Sequence, residues 1–175
     1  MDPKTANMQG DWPNQLSEHT LELRRNWLSF SEEDEELVLE IDDLLTDNID
    51  PLIDDMYAHF LSFPETRKFF PNEQTLLRAQ AAQKQYFLRL TKGNYNNDYV
   101  AERLTVGYTH YRIGLDPTWY LGAYNRILTW LRTLVHQRYG ADTDKFLRCT
   151  SALTRLVFFD MSLAIEAYSI VKELA

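Results

Sequence analysis

Cysteine is nearly missing: Cys149 stands alone in 175 residues, so an internal disulfide is excluded. A reducing cytoplasm is the expected compartment. Cys149 lies among apolar residues at helical spacing, the setting of a core thiol rather than of a nucleophile. Positive charge is short as well, with 18 Lys and Arg against 26 Asp and Glu and a formal net charge of −8. That balance argues against nucleic acid, whose binding rests on cations that neutralise phosphates. It argues equally against docking on anionic lipid. No apolar run approaches the roughly 18 residues of a membrane span. The first fourteen residues are polar and carry two prolines, unlike a secretory signal.

The chemistry-bearing motifs are also few. No glycine-rich phosphate loop is present. The four histidines, His19, His59, His110 and His136, include no pair at metal-binding spacing on one helix, which disfavours zinc. No Ser-His-Asp or Cys-His arrangement is legible, and the acid clusters at 32–36 and at Asp54-Asp55 read as solvated helix faces. An enzyme is therefore not expected. No stretch alternates between apolar and polar with turn dipeptides, so no sheet is expected either. Repeats and low-complexity segments are absent.

What is abundant is apolar and aromatic: 45% of residues are hydrophobic, with 10 Tyr, 9 Phe and 4 Trp. Such a set suits an aromatic core, or a core that also lines a large flat ligand. The length fits one domain. Punctuation divides the chain into helices. Residues 1–16 read as a loose tail, and a short amphipathic segment follows to residue 28. Ser31, with Asp34 three residues on, forms a variant of the capping box, and Glu32, Glu33 and Asp34 favour a helix N-terminus. Asp50-Pro51 and Asp116-Pro117 read as caps with Pro in the first turn. Gly93, Gly114 and Gly140 read as helix ends, and Asp142 as the cap of the last helix. That helix has no stop signal before Ala175, the pattern expected if it leads into a further domain.

Two residues stand out. His110 shares a helical face with Val106 and Ile113. A lone histidine on an apolar face is most often a core residue with its polar atoms satisfied. The functional alternative is a single imidazole on heme iron, with its second nitrogen held by a hydrogen bond. Tyr57 shares a face with Ile53 and Phe60, either as an amphipathic core-edge residue or as a donor to bound O2.

The run His110-Tyr111-Arg112-Ile113-Gly114-Leu115, followed by Pro117-Thr118-Trp119-Tyr120-Leu121-Gly122-Ala123, resembles the signature of globin-coupled sensors. Met56-Tyr57 through Phe60-Leu61 to Pro64, and the pair Asp98-Tyr99, are similar to that family as well. The two halves of the His110 signature together are specific, and the resemblance runs over about residues 17–175.

It implies an all-α globin fold without a D helix and with an extra helix before helix A. The segments are then 17–28 (extra helix), 31–49 (A), 50–63 (B), 64–70 (C), 73–91 (E), 98–113 (F), 116–139 (G) and 142–175 (H). His110 is implied as the proximal iron ligand of heme b, and Tyr57 as the distal donor to O2. Phe60, Phe69, Ala79, Ala82, Tyr86, Ile113, Tyr120 and Tyr124 are implied to line the heme. Ala79 and Ala82 depart from the Leu and Thr or Ser usual on the distal face of helix E, which removes a second donor and leaves room. Gln80 and Gln83 are substitutes for it, although amides on a polar helix usually face solvent.

The implied function is reversible binding of O2, CO and NO without catalysis. The signal would pass through helices G and H to an output domain such as a histidine kinase, a diguanylate cyclase or a chemotaxis transducer. A homodimer through helices G and H is also implied. It is supported by the large apolar residues Leu128, Trp130, Leu131, Leu134, Val157, Phe158 and Phe159, too many for one core to bury. The alternatives are a protoglobin-like domain handling O2 or nitric oxide alone and a heme-free globin-fold interaction module.

Overall fold

The computed structural model describes residues 18–174, so the N-terminal tail expected at 1–16 lies outside the described residues. Among the described residues there are nine helices and no strand. They are α1 (Glu18–Trp27), α2 (Glu32–Glu40), α3 (Asp42–Asp47), α4 (Ile49–Ser62), α5 (Pro64–Arg67), α6 (Glu73–Leu90), α7 (Asn97–Arg112), α8 (Pro117–Tyr139) and α9 (Thr143–Leu174). Among the described residues no helix is long and apolar enough to cross a membrane.

Local chemistry explains most helix ends. At α2 the Ser31 hydroxyl accepts from Asp34 N–H at 3.3 Å while Ser31 N–H donates to Asp34 Oδ2 at 2.9 Å, a reciprocal capping box. Asp116 accepts from Thr118 N–H at 2.8 Å to open α8, with Pro117 in its first turn. Asp142 accepts from Lys145 N–H at 3.0 Å at the start of α9. Gly114 follows α7 at φ 73, a conformation that costs any residue with a Cβ.

Two expectations are corrected. The predicted helix A is two helices, α2 and α3, broken at Ile41 (φ −105, ψ 10). No local breaker residue explains it. The break places Asp42 and Asp43 in a new first turn, where Asp42 accepts from Thr91 and Lys92 at 2.6 Å each and Asp43 takes both nitrogens of the Arg138 fork. Asp50 is not a cap: α4 begins at Ile49 after Asn48, whose amide donates backwards to Leu44 O at 2.9 Å, while Asp50 pairs with Lys84. Gly140 ends α8, with right-handed backbone (φ −60).

The long helix α9 is the spine of the core. Cys149, Leu153, Leu156, Phe159, Leu163, Ala164 and Ala167 are all buried along it. Its most extensive partner is α7, and α8 and α2 pack on it as well. Gly107 of α7 makes the closest approach: a Cβ there would stand 2.0 Å from the carbonyl oxygen of Ala164. The apolar run late in the chain is better buried than its composition suggests. Leu131, Val157 and Phe159 lie inside this one core, Leu128, Trp130 and Leu134 pack partly against it, and of the set only Phe158 is exposed.

Candidate functional site

Helices α4, α6, α7 and α8 enclose a cavity of about 490 Å³. Each helix contributes one face. Tyr57 and Phe60 come from α4, and Ala79, Ala82, Gln83 and Tyr86 from α6 at three- and four-residue spacing. Val106, Thr109 and His110 come from α7, with Ile113 just beyond it. Tyr120, Ala123 and Tyr124 come from α8, and Phe69 from the segment after α5. All ten residues singled out in the sequence thus line one cavity, and no charged side chain is among its described lining.

His110 is enclosed by this wall. Burial disfavours its charged form and pulls its pKa down to about 4, so the imidazole is neutral at pH 7. Its Nδ1 is buried and has no hydrogen-bond partner among the described residues. The expectation that a hydrogen bond would hold the second ring nitrogen is therefore not met at Nδ1. Its ring packs on Tyr120, centroids 5.2 Å apart. Across the cavity, Tyr57 is wedged between Phe60 and Phe70, with ring centroids 5.4 Å from each. Its hydroxyl has no partner among the described residues, and burial raises its pKa well above the ordinary phenol value.

Of the two amides offered as substitute donors, Gln83 lines the cavity, one turn from Ala79 and beside Ala82. Gln80 does not line the cavity. Sequence reasoning also left out Thr66, Thr75, Thr105 and Thr109, which add hydroxyls to the wall. Those of Thr105 and Thr109 donate to the carbonyls of Ala101 and Thr105 at 2.8 Å each, and so present only lone pairs.

The largest feature missed in the sequence lies behind the cavity. Asp160 of α9 is fully buried and pairs with Arg103 of α7, Nε to Oδ1 at 2.6 Å. The guanidinium is sandwiched between the rings of Tyr86 and Tyr99, at 3.8 and 4.0 Å from their centroids. Tyr99 also donates to Oδ1, and Tyr86 and Tyr124 donate to Oδ2. Burial first, and then the Asp160 charge, raises the pKa of all three phenols. Burial alone would lower that of Arg103, but Asp160 and the phenols raise it above its ordinary value. The signal was present in the sequence. Asp160 falls on the buried stripe of Leu156, Val157, Leu163 and Ala164, and Arg103 on that of Tyr99, Val100 and Gly107. Opposite charges on two facing apolar stripes mark a pair.

Three comparisons bear on this arrangement. Residues 17–173 match the protoglobin family. The heme-based aerotactic transducer HemAT of Halobacterium salinarum is 31% identical over 128 residues, 68% of this chain and 26% of that protein. The matched region thus spans about a quarter of that relative. The globin domain of a globin-coupled sensor from Geobacter sulfurreducens superposes with a TM-score of 0.79 at 22% identity, over 84% of this chain and 96% of that one. At that identity the likeness shows the fold alone, and the fold is that of an all-helical globin domain. The chain belongs to the protoglobin family, a membership that implies heme binding.

Proposed function

We propose that this domain is a gas sensor. It holds one heme b (iron protoporphyrin IX) through His110, takes up O2, CO or NO reversibly, and signals through α8 and α9 to an output domain. The observation that carries the reading is a single neutral imidazole, His110, on the wall of an apolar and aromatic cavity.

The residues fit a heme. The cavity volume is in the range of cofactor sites, and its lining is apolar and aromatic. The neutral imidazole keeps a lone pair free for iron at pH 7. When bound, heme supplies an iron centre that takes up a diatomic gas without consuming it. The chain's own residues do the rest. His110 fixes the group on α7, and Tyr57 offers a hydroxyl proton not used elsewhere. Ala79 and Ala82 leave space beside it, and Gln83 is a second donor on the same wall. None of these roles requires catalysis.

The exposed Leu147 and Phe158 share one face of α9, and Leu121 of α8 is exposed as well. They support a homodimer through α8 and α9, and sedimentation at tens of micromolar tests it. The lone buried thiol accords with the cytoplasm. The function itself is tested by titrating the purified ferrous protein with O2. Reversible shifts of a Soret band are expected, and the absence of any Soret band refutes the reading in favour of a heme-free module.

A further inference from the structure

We propose that Asp160 is a positioning residue that sets the direction of the hydrogen bonds in the inner wall of the cavity, and through them the polarity facing His110. The proposal rests on the heme reading above.

The argument is a count of protons. A phenol carries one proton, and an ionised carboxylate only accepts. Asp160 Oδ1 is taken by Arg103 Nε and the Tyr99 hydroxyl. Oδ2 is taken by the hydroxyls of Tyr86, at 2.5 Å, and Tyr124. Tyr86 and Tyr124 line the cavity and their hydroxyls also meet each other, but because Asp160 Oδ2 accepts from both, their protons point out of the cavity toward α9. Their remaining lone pairs are acceptors. Tyr120 supplies the third proton: its hydroxyl donates to that of Tyr124 at 3.1 Å and lies 3.3 Å from that of Tyr86. Because Tyr120 packs on the His110 ring, the order Tyr120 to Tyr124 to Asp160 draws its proton away from the imidazole. Asp160 itself does not line the cavity. It acts through the phenols.

The geometry also says what reversal takes. Arg103 has only donors, and its guanidinium is fixed by two rings and by the carbonyl of Tyr86 at 3.3 Å. In an Asp160→Asn variant the amide oxygen must therefore stay with Arg103, and the NH2 group takes the place of Oδ2. Tyr86 and Tyr124 then accept instead of donating. Their protons turn toward Tyr120, which becomes an acceptor beside His110. Partners of a ligating imidazole tune its bond to the metal.

The experiment is resonance Raman spectroscopy of the iron–histidine stretch in the ferrous, heme-loaded protein. Asp160→Asn is expected to shift the band, and to add no further shift in a Tyr124→Phe background. Tyr99→Phe removes an equally buried hydroxyl from Oδ1 outside the cavity wall and is expected to leave the band in place. If Asp160→Asn does not fold, Tyr124→Phe, which keeps the Arg103 pair, carries the test against Tyr99→Phe. An unshifted band in Asp160→Asn or Tyr124→Phe, or an equal shift in Tyr99→Phe, overturns the proposal. A wild-type protein with no Soret band overturns it together with the heme reading, whereas normal heme loading with unshifted variants overturns the proposal alone.

Discussion

Arg103 and Asp160 meet as an ion pair closed to water, Nε 2.6 Å from Oδ1 with side chains 1% and 0% exposed, and join α7 to α9 directly behind the cavity wall. Removing one partner of such a pair strands the other charge. Arg103→Met is expected to destabilise the protein by roughly 3–5 kcal/mol in chemical denaturation. Adding Asp160→Leu to it is expected to recover part of that loss, because the stranded charge is gone although three phenols lose their acceptor. A neutral Arg103→Met would show that the pair contributes nothing to the fold.

Gly107 gives a prediction of opposite sign to its helix propensity. In a free helix Gly→Ala stabilises by about 1 kcal/mol. Here the new Cβ would stand 2.0 Å from the Ala164 carbonyl oxygen and 2.8 Å from the Ala167 Cβ, and no rotamer relieves a backbone contact. Gly107→Ala is expected to cost about 3 kcal/mol, at the upper end of overpacking effects. A rise in melting temperature would mean that α7 and α9 do not approach this closely.

These two positions mark where sequence reasoning stopped. Ends with local chemistry were legible: the Ser31–Asp34 box, Asp116-Pro117 and Gly114 need only their neighbours. The cavity lining was reached through the family motif around His110, since spacing alone left a core histidine as the ordinary reading. The break at Ile41 was not legible, because it is stabilised by Thr91, Lys92 and Arg138, 49 to 95 residues away. That Gln83 and not Gln80 lines the cavity was not legible, because an amide on a polar helix says nothing of which side a cavity occupies. Asp160 was overlooked because its apolar neighbours dominate the periodic pattern of α9.

The buried phenols predict the response to alkali. Burial raises the pKa of Tyr57, Tyr86, Tyr95, Tyr99, Tyr120 and Tyr124 above the ordinary value near 10. A folded-state pKa above the unfolded one stabilises fully below pH 10 and is lost as pH rises through 10, since only the unfolded chain then releases the proton. Each such phenol steepens the decline by about 1.4 kcal/mol per pH unit. Tyrosinate absorbance in the heme-free protein is expected to rise in two stages, the second coincident with loss of helical circular dichroism. A single gradual rise with the helices intact would contradict the burial described.

Tyr57 is the only described tyrosine on the cavity wall whose hydroxyl has no partner within the fold. A hydrogen bond to a partly anionic acceptor is worth roughly 1.5–3 kcal/mol. Tyr57→Phe is therefore expected to speed O2 dissociation about ten- to a hundredfold in stopped-flow measurements. Carbon monoxide, a weaker acceptor, is expected to change much less. Equal effects on both gases would mean that the side chain acts by bulk alone.

The role of His110 carries the whole account, and the absorption spectrum of His110→Ala tests it most directly. Wild-type protein supplied with heme is expected to show a Soret band with one heme b per chain. His110→Ala is expected to lose normal heme retention and to regain it when free imidazole is added, while His59 and His136 variants keep the wild-type spectrum. A His110→Ala protein with an unchanged Soret band would contradict the assignment and place the iron on another residue.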